Sequence, residues 1–93
     1  MKATTHFRSA IYLRPGKLDE LLAGELRDQG VKPTRPRMAA LLNVDYLTYW
    51  RMTKPGSEHR KPAQEFIAAV LAHFGDDSFS EIFEVREPAE VAA

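Results

Sequence analysis

The sequence predicts an all-α fold, a compact bundle of about five helices with a short extended segment at its N-terminus. Three observations carry that prediction. Leu18, Leu21, Leu22 and Leu26 fall at offsets 0, 3, 4 and 8, which puts them on one face of a helix. Proline and glycine cut the rest of the chain into further stretches of helical length. Two of those stretches are separated only by Asn43, Val44 and Asp45, a spacing that reads as two short helices joined by a tight turn. At 93 residues and 10.5 kDa the chain is read as one domain over residues 1–86, with 1–16 extended and 87–93 a frayed tail.

The elements follow in order. Phe7 to Leu13 is rich in aromatic and β-branched residues and closes on Pro15-Gly16, so it reads as a short strand or an extended arm on the core. A first helix covers Lys17 to Gln29 and stops at Gly30, which readily takes the left-handed conformation. Thr34 is the expected N-cap of a second helix, Pro36 suits its first turn, and Met38, Leu41 and Leu42 share a face. Asn43 tolerates positive φ, Asp45 caps a third helix, and Pro55-Gly56 ends it near Lys54. Pro62 is expected to open a fourth helix with Phe66, Ile67, Val70, Leu71 and Phe74 inward, stopped by Gly75. Ser78-Phe79-Ser80-Glu81 has the spacing of a capping box for a fifth helix with Phe79, Ile82 and Phe83 on its apolar face.

The formal net charge of zero conceals a strong asymmetry. Residues 1–30 carry a net of +1, residues 31–62 a net of +5 and residues 63–93 a net of −6. A basic block of this kind points to an anionic partner, of which nucleic acid is the commonest, or to a dipolar solubilising surface.

The stretch Thr34-Arg-Pro-Arg-Met38-Ala39-Ala40-Leu41-Leu42-Asn43-Val44-Asp45-Tyr-Leu-Thr-Tyr49-Trp-Arg-Met52 resembles the helix-turn-helix of Cro/C1-type (XRE-like) phage repressors and related bacterial regulators. Met38-Ala39 stands at the family's Leu-Ala, Asn43-Val44 at its Gly-Val turn, Asp45 at its polar cap, and Tyr49 and Met52 at its two inward positions. The resemblance extends over residues 17 to about 83 and implies a lambda-repressor-like domain that binds double-stranded DNA. On that reading Tyr46, Leu47, Trp50, Arg51 and Lys54 face outward, Tyr46, Leu47 and Arg51 meet base edges, and Thr34, Arg35, Arg37, Arg60 and Lys61 serve phosphates. It also implies a homodimer, with the Phe7–Leu13 strand edge or the fifth helix as the joining surface. The expected function is therefore a sequence-specific regulator of transcription, a phage or bacterial repressor.

A second reading stays open. Tyr46, Leu47 and Trp50 make an apolar outward face, which suits a protein-interaction module such as an immunity, exclusion or antitoxin-like protein with a protein partner. Catalysis is not expected. His6, His59 and His73 are scattered, Ser78 and Ser80 beside Asp76 and Asp77 read as caps, and the five glycines form no phosphate loop. Neither a metal nor a cofactor is expected. The chain has no cysteine, which excludes disulfides and thiolate metal sites and makes a cytoplasmic location the expected one. The residues after Met1 lack a secretory pattern, and the longest apolar run, Phe66 to Ala72, is far below the roughly 20 residues of a membrane span, so no membrane association is expected.

Overall fold

Residues 9–57 and 60–86 are described by a computed structural model of the chain. Strand β1 covers Ala10–Leu13, and helices α1 (Lys17–Asp28), α2 (Arg35–Leu42), α3 (Tyr46–Thr53) and α4 (Gln64–Phe74) follow. A 3-10 turn (Asp76–Ser78), helix α5 (Phe79–Ile82) and strand β2 (Phe83–Arg86) complete the order. The protein is mostly helical but not all-α, because β1 and β2 pair antiparallel.

The pairing sets Ala10 opposite Arg86 and Leu13 opposite Phe83. Side chains alternate along a strand, so Leu13 and Phe83 share one face with Ile11 and Val85. Leu13 and Phe83 are buried in the core. The segment read as an arm with a free edge is thus a strand whose inner edge is already occupied within the chain. Residues 1–8 and the 87–93 tail lie outside the described residues.

Helix α1 buries Leu18, Leu22 and Leu26 and leaves Leu21 half-buried against the same core. Gly30, at φ 75°, turns the chain so that Val31 N–H reaches back to the Leu26 carbonyl at 2.8 Å. The core is completed by Met38, Ala39 and Leu42 from α2, Tyr49 and Met52 from α3, Phe66 and Val70 from α4, and Ile82.

Three local expectations are corrected. Helix α4 starts at Gln64, not Pro62, because Ala63 is extended and its carbonyl accepts the first helical bonds, from Phe66 and Ile67. No capping box forms at Ser78, which already has helical φ and ψ, and whose hydroxyl donates back to the Gly75 carbonyl at 2.6 Å. Phe83 is not part of the α5 face, since the chain turns extended there (φ −116°, ψ 162°) and enters β2. No helix among the described residues is long and apolar enough to cross a membrane.

Candidate nucleic-acid interface

Helices α2 and α3 are bounded at their ends by residues suited to the task. Thr34 is extended and its hydroxyl accepts the Arg37 N–H at 3.3 Å, while Pro36 fills a first-turn position that needs no donor. Asn43 takes the left-handed conformation (φ 60°, ψ 40°), the single non-glycine residue among those described to do so. Its N–H bonds the Ala40 carbonyl and that of Val44 bonds Ala39, closing α2. Asp45 then spends one carboxylate oxygen on the N–H groups of Leu47 (3.0 Å) and Thr48 (3.4 Å). Pro55 disfavours helix at Lys54, whose backbone is extended, and so ends α3.

This turn rotates α3 so that Tyr49 and Met52 enter the core. Tyr46, Leu47 and Arg51 emerge on the opposite side, with Tyr46 42% and Leu47 54% exposed. Trp50, expected outward with them, is instead half-buried, and the Arg35 guanidinium lies over its ring with Cζ 4.4 Å from the centroid. Lys54 is also half-buried, at the end of the helix. Arg60 and Lys61 are exposed beyond the turn, just past the undescribed residues 58 and 59.

Charge is distributed unevenly over these cations. Outside the basic block, Arg14 pairs with Glu84 at 3.3 Å, Lys17 with Glu81 at 3.3 Å and Arg86 with Glu84 at 2.7 Å. Glu81 and Glu84 of the acidic final third therefore neutralise Arg14, Lys17 and Arg86. Within the block, Arg35, Arg51 and Lys54 pair with no acid among the described residues, and the Arg37 guanidinium donates among them only to the Lys32 carbonyl, at 2.9 Å. His73, one of the histidines read as solitary, pairs with Glu25 at 2.8 Å and ties α4 to α1, while His6 and His59 lie outside the described residues.

Sequence reading missed how Tyr49 is held. Its hydroxyl donates to Asp19 of α1 and lies 3.7 Å from the sulfur of Met38 in α2, so one phenol joins three helices. Burial above all, then the hydrogen bond to Asp19 and the charge of that carboxylate, pushes the phenol well above its ordinary range, with Arg35 opposing. In the unfolded chain the phenol loses its proton near its ordinary value of 10.0, whereas in the fold it keeps it. The unfolded state then binds fewer protons, so this contribution is complete below pH 10 and drains away as pH rises beyond it. Stability measured by urea titration from pH 8 to pH 11.5 is expected to fall at the alkaline end, and less steeply in Tyr49→Phe. Equal alkaline slopes in the two proteins would show that the phenol is not the group responsible.

Two clefts flank this joint, of about 280 and 490 Å³, and Asp19 and Arg35 line both. No protein-family model, curated protein or solved structure matches the chain.

Proposed function

We propose that the chain is a sequence-specific, double-stranded DNA-binding regulator of transcription, with α2 and α3 forming a Cro/C1-type, lambda-repressor-like helix-turn-helix. The supporting observation is the division of α3 into two faces. Tyr49 and Met52 anchor it in the core, while Tyr46, Leu47 and Arg51 stand clear of the surface beside cations that pair with no acid among the described residues.

A helix of about 10–12 Å with its side chains fits a major groove about 12 Å wide. Arg51 is placed to give guanine O6 and N7 a bidentate contact, Leu47 to touch a thymine methyl and Tyr46 to reach a base edge or phosphate. Thr34, Arg37, Lys54, Arg60 and Lys61 supply the phosphate-facing rim. A single eight-residue helix reads few base pairs, so the working unit is a homodimer on two half-sites about 34–36 Å apart. Occupying such an operator in the bacterial cytoplasm, in a phage or bacterial context, would repress by excluding polymerase.

Selection from a random duplex library at two salt concentrations tests this. Enrichment of a palindrome is expected, with a log–log salt slope of about −3.6 per subunit for roughly four phosphate contacts. No enrichment and a flat salt response would overturn the proposal.

One observation favours a second reading. Tyr46 and Leu47 are, with Val85, the exposed large hydrophobic residues of the described chain, which suits a protein partner seated on the start of α3. In that case Leu47→Ala abolishes partner binding, Arg51→Ala spares it, and salt changes little.

A further inference from the structure

Within the DNA-binding reading, on which this rests, we infer that Trp50 is not a base reader but the platform that holds Arg35 ready to clamp a backbone phosphate. Trp50 is then a positioning residue and Arg35 the contact.

The geometry supplies the warrant. Arg35 opens α2 and is exposed, Trp50 stands in α3, and the guanidinium lies over the indole at 4.4 Å. A guanidinium is flat and carries its five N–H donors in its plane. The contact with the ring holds the cation in place without giving its N–H groups an oxygen acceptor. Among the described residues the Arg35 guanidinium donates no hydrogen bond and pairs with no acid. Asp19 lines the same two clefts, yet its carboxylate accepts the Tyr49 phenol and forms no ion pair with Arg35.

The molecule contains its own comparison. Arg86 lies over Tyr12 with its Cζ 4.3 Å from the ring centroid, and there the guanidinium already has an acid, its Nε donating to Glu84 at 2.7 Å. That stack is closed within the fold. The one between Arg35 and Trp50 is built alike and left open, at the junction of the two helices beside the outward face of α3. A phosphodiester, whose two non-bridging oxygens share one negative charge, is the chemistry that completes a guanidinium edge. The stack also covers part of the indole, which removes Trp50 from groove contact and leaves base readout to Tyr46, Leu47 and Arg51.

The test measures affinity of a fluorescein-labelled 30-base-pair duplex by anisotropy across a salt series. Trp50, the chain's one tryptophan, gives a second signal through its emission. Arg35→Ala is expected to weaken binding about tenfold and to shrink the salt slope by about 0.9 per subunit, the share of one phosphate contact. Trp50→Ala is expected to shrink the slope likewise although no charge is lost, and Trp50→Phe, which restores a ring, to regain most of it. Arg35→Lys keeps the charge without the flat edge and is expected to fall short of wild type.

Wild-type affinity and slope in Trp50→Ala would overturn the platform while leaving DNA binding intact. If Trp50→Ala does not fold, wild-type behaviour of Arg35→Lys overturns it instead. Absence of duplex binding by the wild-type protein would overturn both this inference and the function beneath it. Inorganic phosphate at matched ionic strength is expected to leave Trp50 emission unchanged. A shift with phosphate and none with duplex would overturn the assignment to the nucleic-acid backbone.

Discussion

Replacing Tyr49 with alanine is expected to lower the free energy of unfolding by about 3–5 kcal/mol, the range for truncating a large buried aromatic. Tyr49 is fully buried and is the largest such side chain among the described residues. Its ring fills the space between α1, α2 and α3, so its loss leaves a cavity where three helices meet. The Asp19 carboxylate would lose its phenol donor at the same time. Native domains are stable by about 5–15 kcal/mol, so a loss of this size removes a large share of the total. Urea titration should show the midpoint falling with little change in slope. Tyr49→Phe keeps the ring and is expected to lose about 1.5 kcal/mol, the share of a hydrogen bond to a charged group. An alanine variant as stable as the wild type would mean that this residue does not hold α3 in place.

Arg51→Ala is expected to leave the melting temperature unchanged, because the residue is exposed and has no acidic partner among the described residues. Its effect should appear in selectivity. Loss of a bidentate guanine contact costs about 1–3 kcal/mol of discrimination at one base pair. Binding to the selected operator should weaken while binding to unrelated duplex changes little beyond one phosphate-scale charge effect. Lys54→Ala is expected to do the reverse, weakening both duplexes together and reducing the salt slope by about 0.9. Equal losses on both duplexes for Arg51→Ala would place that residue on the backbone rather than on a base.

Much of the helical framework is written in short-range signals. The leucine spacing of α1, the Thr34 and Asp45 caps and the left-handed Asn43 each depend on a few adjacent residues, and the structure has all of them. The inward turn of Tyr49 and Met52 follows from the same spacing. What escaped depends on distance along the chain. Phe83-Glu84-Val85-Arg86 alternates apolar and charged residues, a strand signal, but after Phe79 and Ile82 it also fits the end of a helix. Only pairing with a strand some seventy residues earlier decides between them. The same holds for Asp19 with Tyr49 and Arg35 with Trp50, where nothing local says that the side chains meet. At the candidate site, the cations were legible as a charge block, but which of them stay unneutralised depends on where the acidic third folds.

The β1–β2 clasp has a consequence for the order of assembly. Ala10 cannot meet Arg86 until nearly all the intervening chain exists and has been gathered together, and closing so long a loop costs entropy before any contact repays it. During synthesis β1 is complete before α1 to α4 have emerged from the ribosome, and its partner strand, which begins at Phe83, arrives after them. The helices can organise as they appear, but the seam is sewn last.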